Sequence, residues 1–377
     1  MLLARRVQGC PGMDRSSRPF VPPRCPRSTC PHHVCTAGWR WIRFGSFRRQ
    51  CEPRVIPRFR CCRCRRTFSS QSFSTTYYLK RPALQEPIFH RLLACSGYRQ
   101  IAREARCAHS TVAGQAARLG RHALLVLAEQ RPDGPVAEPL VVDGFESFAF
   151  SQYQPLHLNL VVGANSHYVE AFTCSALRRK GRMTARQLRR RARLEAAHGR
   201  PDPRAIERGM AAALLLAAPR PQPLTVRSDE HPAYPRALRR LAGHRIRHEC
   251  TPSVQARTSG NPLFPVNLMD LLLRHNSANH KRETIAFSKR HQAVVERAAL
   301  LVLWRNFSKP FSENHGGGTP AMRRGLCATP LSVRQLLGER RFPGVIGLPE
   351  PWQGYYRRLV PTAGIRNPRT HTLKLAD

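Results

Sequence analysis

Acidic residues are scarce in this sequence: 23 Asp and Glu stand against 63 Lys and Arg in 377 residues, a formal charge of +40. A compact chain with that surplus repels itself, so a polyanionic partner is expected, and nucleic acid is the natural one. The deficit is uneven. Asp14 and Glu52 are the only acids before Glu86, and that opening stretch is dense with Arg, the charge pattern of a nucleic-acid-binding arm. A GC-rich genome inflates Arg, Ala and Pro, but it does not explain why acids thin out near one end. Long apolar runs are missing too. The longest, residues 211–218 and 298–304, fall well short of the roughly 18 residues a membrane span needs, so no membrane partner is expected. Residues 1–7 are basic without an apolar stretch, so no secretory signal is expected, and Met13 is an alternative start.

What the chain does have is clustered cysteine. Of 13 Cys, eight fall between Cys10 and Cys64. An odd total does not suit a closed disulfide framework, and clustered thiols in a reducing compartment point to metal. CPHHVC carries Cys30 and Cys35, and CCRC carries Cys61, Cys62 and Cys64. Two such knuckles about 30 residues apart can present four thiolates tetrahedrally to Zn²⁺, whose binding supplies folding energy that an apolar-poor segment lacks. The expected quartet is Cys30, Cys35, Cys61 and Cys64. Cys25, Cys51 and Cys62 compete, and His32 or His33 can replace one ligand.

Residues 1–80 thus read as a zinc-ribbon-like basic module. Residues 82–130 turn helical, and 131–138 read as a linker. Within the helical region, 98–104 and 110–119 flank a tight turn, the pattern of a helix–turn–helix DNA-binding domain. His109, Thr111 and Gln115 are expected at the major groove, and Arg103, Arg106, Arg118 and Arg121 at phosphates. The plainer alternative is a helical hairpin that only packs on the core.

Beyond 139 the texture is α/β. Strands are expected at 139–150, 156–162 and 167–173, the last two joined by a hairpin-like turn. An Arg-rich helical stretch follows over 183–218, broken at 199–203. Then come a strand at 224–228, a helix at 234–242, a strand at 245–250 and a mostly helical stretch at 265–311. This order resembles an RNase H-like α/β core, here 139–315, with 316–377 as a C-terminal extension.

Because acids are rare, each carboxylate's setting is informative. Asp143 sits inside an apolar strand, where it is costly unless paired, hydrogen-bonded or metal-bound. Asp229 stands at a strand end, where α/β sites gather. Glu283 is expected to open a helix dense in cations. Three such carboxylates converging can hold two Mg²⁺ or Mn²⁺ about 3.5–4 Å apart for phosphoryl transfer. Each also has an ordinary use, as a turn cap, a helix cap or a salt-bridging helix residue.

Over nearly its whole length the chain resembles the DDE transposases of bacterial insertion sequences. The matching pieces are CPHHVC, CRCRRTFSSQSFSTTYYLKRP, GYRQIAREARCAHSTV, VVDGFESF, SDEHPAYP and RHNSANHKRETIAFSKRHQAVVERAALLVLWRNFSKP. The resemblance implies a transposase that binds the terminal inverted repeats of its element and catalyses metal-dependent cleavage and strand transfer. It implies double-stranded DNA as partner, a homo-oligomer in the synaptic complex and a cytoplasmic, nucleoid-associated location. By that match Asp143, Asp229 and Glu283 form the catalytic triad and hold Mg²⁺. His231, Asn279 and Arg282 assist positioning, and Lys281, Arg282, Lys289 and Arg290 clamp DNA backbone. The interval from Asp229 to Glu283, 283 − 229 = 54 positions, is longer than the tightest members of that broad group show, so Asp270 competes as third ligand, with Glu296 a remoter choice. A non-catalytic DNA-binding regulator is the alternative, and an RNA-associated zinc protein ranks last.

Overall fold

Apolar residues alternate unevenly through Val55–Cys61, and a small sheet forms there in the computed structural model of the chain, which describes residues 19–131, 134–281, 283–314 and 316–367. Its antiparallel strands are β1 (Trp41–Arg48), β2 (Val55–Cys61) and β3 (Thr67–Ser69), with β2 in the middle. Ile56, Phe59 and Cys61 of β2 are buried, whereas β1 is exposed almost throughout. The β1–β2 register slips between Arg43 and Ser46, where Gly45 lies at φ 74°, a left-handed conformation that disfavours a side chain.

Three helices follow: α1 (Gln85–Leu93), α2 (Tyr98–Glu104) and α3 (His109–Glu129). Helices flank the expected turn at 105–108, but α3 continues well past the expected end at 119. Val112, Ala116, Leu119 and Ala123 form its inward stripe at three- and four-residue spacing. These helices share one apolar core with the sheet described next. Residues 82–130 are therefore not a free-standing domain core.

That second sheet comprises β4 (Leu140–Phe148), β5 (Pro155–Gly163) and β6 (Val169–Ala176). After helices α4 (Ala185–His198) and α5 (Ala205–Ala217) come β7 (Pro223–Ser228), α6 (Ala233–Leu238) and β8 (Arg245–Cys250). The strand order is β6-β5-β4-β7-β8. The β4–β5–β6 meander is antiparallel, and β7 and β8 run parallel to β4. Each strand falls close to its expected place, because the apolar runs and turn residues punctuate the chain cleanly.

Register assigns the two faces. Gly144, Asn159 and Thr173 stand opposite one another and face α5: Asn159 donates to Thr173 Oγ1 at 2.9 Å, which donates to the Gly209 carbonyl at 2.7 Å. Asp143, Leu160 and Phe172 share the other face. There lie α7 (Phe264–Asn276) and α8 (His291–Phe307), with α3 packed on α8. The mostly helical stretch expected over 265–311 divides into α7 and α8. Between α7 and α8 the chain makes a 3₁₀ turn (Ala278–His280), and then Thr284 Oγ1 donates to the Ala278 carbonyl and accepts from Ala286 N, both at 2.9 Å. Such local side-chain bonds replace the helical ladder.

The last stretch is structural rather than an appendage. Three short helices, α9 (Pro320–Arg323), α10 (Val333–Leu336) and α11 (Trp352–Tyr356), place Leu336, Trp352 and Tyr355 in the main core. Phe342 packs with the N-terminal sheet, and Arg340 N donates to the Phe73 carbonyl at 2.8 Å. Among the described residues no helix is long and apolar enough to cross a membrane.

Candidate carboxylate site and cysteine metal centre

Parallel pairing sets the first two carboxylates level. Val141 stands opposite Arg227, so Asp143 and Asp229 each lie two residues further along neighbouring strands, at the carboxyl end of β7. Asp143 Oδ1 accepts from Tyr234 Oη at 3.0 Å and from Gly144 N at 2.7 Å. Burial pushes its carboxyl above the usual range, and the Asp229 charge pushes the same way. Asp229 Oδ1 accepts from His231 N at 2.9 Å, which closes the turn into α6.

A third acid, Asp270, lies on α7, which packs against β4. Burial, and then the charge of Asp143, push its carboxyl up to about 8, against the pull of Arg274 and Arg257. Its Oδ1 is buried without a hydrogen-bond partner. The three acids do not meet as a ready-made ligand cluster: among the described residues only four cysteines bring their ligand atoms within 4.8 Å of one another. Tyr234 senses all three acids: burial, then Asp143, Asp229 and Asp270, raise its phenol.

Glu283 stands elsewhere in character. It is exposed, in a turn with φ 55°, and opens no helix. Glu296 is committed to structure, buried on α8 and ion-paired to Arg358 at 2.8 Å. Asn279 and His280 are buried, and His280 Nδ1 bonds Ser147 Oγ at 2.9 Å.

One neighbour escaped sequence reasoning. His157 lies across Gly144: a Cβ there would come within 1.6 Å of the ring. Its Nδ1 bonds Asn159 Oδ1 at 2.9 Å. Burial holds its pKa down to about 4, and among the smaller electrostatic influences on it are His231 and Asp229. Only strand register reveals this placement.

The cysteine centre gathers Cys25, Cys30, Cys61 and Cys64, whose sulfurs all lie within 4.8 Å of one another. That arrangement fits one tetrahedral Zn²⁺. Cys35 is exposed and stands outside the cluster, so Cys25 takes its expected place. The reason is local. Pro31–His33 forms a 3₁₀ turn, Cys25 N donates to the His32 carbonyl, and His33 Nδ1 bonds the Cys25 carbonyl. These bonds fold CPRSTC into the first knuckle and turn Cys35 away. Burial opposes ionisation of Cys61, but the Cys64 amide, the Trp39 indole at 3.3 Å and the Arg63 amide hold it down to about 6.

The expected DNA-reading residues divide. Arg103, Arg106, His109 and Thr111 are exposed at the α2–α3 turn, and Lys281 and Lys289 are exposed beyond α7, with Arg290 half-buried. Gln115 is buried, so it cannot enter a groove. Arg118 donates to the Thr75 and Tyr77 carbonyls, and buried Arg121 lies over the Tyr356 ring. Both are packing residues rather than phosphate contacts. Arg282 lies outside the described residues.

No family model matches the chain, and no curated protein does. Among solved structures it is similar to one described as the cryoEM structure of the simian T-cell lymphotropic virus intasome in complex with PP2A regulatory subunit B56 gamma. The identity is 15%, the TM-score 0.22, and the match covers 53% of this chain and 66%, just under two thirds, of that one. A TM-score of that size carries no argument about fold or activity.

Proposed function

We propose that the protein is a DNA transposase of RNase H-like architecture, acting through Asp143, Asp229 and Asp270. The observation that carries this reading is that Asp143 and Asp229 stand level on neighbouring parallel strands, with Asp270 on the helix α7 packed against β4, in an otherwise acid-poor, strongly cationic chain. Asp143 and Asp229 sit at the meeting of antiparallel and parallel strands, and α7 brings Asp270 to the same face as Asp143. A Mg²⁺ or Mn²⁺ held by these carboxylates would supply charge neutralisation for phosphoryl transfer. The chain's own groups do the positioning. Tyr234 orients Asp143 through one hydrogen bond, and His157, neutral at pH 7, adds no cation against the carboxylates. Cys25, Cys30, Cys61 and Cys64 hold a structural Zn²⁺ in the N-terminal module, and the exposed side chains of the α2–α3 turn and Lys281, Lys289 and Arg290 face the duplex. Assembly of more than one copy on paired DNA ends belongs to the same reading.

The test is nicking and joining of duplex DNA taken from both flanks of the coding sequence, with Mg²⁺ or Mn²⁺ present. Metal-dependent cleavage that disappears in Asp143→Asn and Asp229→Asn is expected. Sequence-selective binding without any cleavage by the parent would favour a non-catalytic regulator instead.

A further inference from the structure

Helix α4 has no buried residue, although it sits in the middle of the α/β region. Segment 178–200 carries ten Lys or Arg and a single acid, Glu195. That acid is spent on tethering: Arg178 grips it through two hydrogen bonds of 2.8 and 2.9 Å, and Arg191 approaches at 3.6 Å. Thr184 caps the helix start, and Arg191 also donates to the Arg179 carbonyl. The half-buried positions, Gln187, Arg191, Leu194 and Glu195, mark the inner side.

Exposed Arg186, Arg189, Arg190 and Arg193 follow the i, i+3, i+4, i+7 pattern of one outward stripe. No carboxylate among the described residues pairs with any of them. Like charges at these spacings destabilise an isolated helix, and a polyanion bound along the stripe would offset that repulsion. The stripe is also continuous with other cations. Arg179 and Arg190 lie over Tyr153, in the loop joining β4 to β5. Phe150 N of that loop donates to the Ser288 carbonyl at 2.7 Å, next to Lys289 and Arg290. His198 at the end of α4 lies against Gly364, and Arg290 Nε donates to the Arg366 carbonyl at 2.8 Å. The loop leaves the carboxyl end of β4, the same end of the parallel strands as Asp229.

We propose that the outward stripe of α4 is a docking site for the phosphate backbone of duplex DNA, continued along the β4–β5 loop to Lys289 and Arg290. Arg186 to Arg193 spans about 10 Å along the helix, about three base steps of one strand. Helix α4 itself has no aromatic side chain to stack unpaired bases, as single-strand grooves do. Of the adjoining loop's aromatics, Tyr153 is covered by Arg179 and Arg190 while Phe150 alone is exposed. Nor does α4 have a large apolar face to enter a lipid surface. The inference rests on the reading of the protein as a DNA-transacting enzyme for its choice of duplex DNA, not for the cationic surface itself.

The experiment compares the full-length zinc-loaded protein with a variant carrying Arg186→Gln, Arg189→Gln, Arg190→Gln and Arg193→Gln. A second variant carries Arg239→Gln, Arg245→Gln, Arg334→Gln and Arg357→Gln, an equal loss of exposed charge elsewhere. Affinity for a random-sequence DNA duplex is measured by fluorescence anisotropy across a salt series, with circular dichroism and zinc content as fold controls. The slope of log K against log salt should shrink by about 3–4 in the α4 variant, and by less than one in the other. Equal changes in the two variants overturn the proposal. So does a loss confined to duplex RNA, acidic polypeptide or anionic vesicles. If the α4 variant alone loses its slope while parent and Asp143→Asn proteins are equally unable to cut DNA, the docking site stands and the enzymatic reading fails.

Discussion

The phenol of Tyr234 donates a 3.0 Å hydrogen bond to Asp143 Oδ1, linking α6 to the middle of β4. That bond favours the ionised carboxylate against burial, which pushes the other way. Tyr234→Phe should therefore weaken divalent-metal binding at the site. Titration of DNA nicking with Mg²⁺ is expected to show a several-fold higher half-saturating concentration, with the rate largely recovered at saturation. An unchanged titration would mean that the bond is only structural.

Asp270 and Glu283 make opposite predictions. Asp270→Asn should abolish nicking, on the order of 10²-fold or more, while leaving DNA binding intact. Glu283→Gln, an exposed turn residue, should retain activity within a few-fold. Because burial and Asp143 raise the Asp270 carboxyl, Asp270→Asn should also leave thermal stability unchanged or higher at pH 8, where an ionised carboxylate is most costly. Loss of activity in Glu283→Gln with full activity in Asp270→Asn would reverse the assignment.

The sulfur cluster predicts one Zn²⁺ per chain, bound through Cys25 and not through Cys35. Cys25→Ser should lose zinc and the cooperative melting of the N-terminal sheet, whose apolar cluster includes Cys25, Phe59 and Phe68. Cys35→Ser should keep both. Metal analysis of the purified variants distinguishes the two.

Packing of α3 on α8 leaves no room at Gly120, where a Cβ would lie 2.4 Å from the Glu296 carbonyl oxygen. Gly120→Ala should destabilise the protein by about 1–3 kcal/mol through overpacking. Gly114, six residues earlier on an open face of α3, has nothing within 4 Å. Gly114→Ala should instead stabilise by about 0.5–1 kcal/mol. Urea unfolding of both variants measures the contrast.

His122 donates from Nε2 to the Leu336 carbonyl at 2.8 Å and is buried. Burial holds its pKa down to about 4, against the carbonyl's opposing pull, with Arg341 adding to the depression. In the unfolded chain a histidine titrates near 6.5, so between about 6.5 and 4 the unfolded state binds the extra proton. The neutral side chain's contribution is complete above pH 6.5 and is lost as pH falls toward 4. Unfolding midpoints at pH 7 and pH 5 should differ less in His122→Gln than in the parent.

The sequence alone determined the order and character of the elements. Apolar runs and turn residues place β4 to β8, the α2–α3 pair and the break between α4 and α5, because these signals are local. It also exposed the cationic surplus and the two carboxylates set in and after strands, Asp143 and Asp229. Tertiary structure decided what depends on approach between distant segments. Cys25 replaces Cys35 because a turn over Pro31–His33 bonds back to Cys25. Gln115 and Arg121 are inside because α3 packs along its length rather than standing free. Glu283 lies in an exposed turn because Thr284 satisfies backbone groups that a helix would otherwise have used, whereas Asp270 is carried by α7, which packs against β4. Spacing along a chain constrains neighbours on one element, but which side chains meet across elements follows from register, burial and competition for hydrogen bonds.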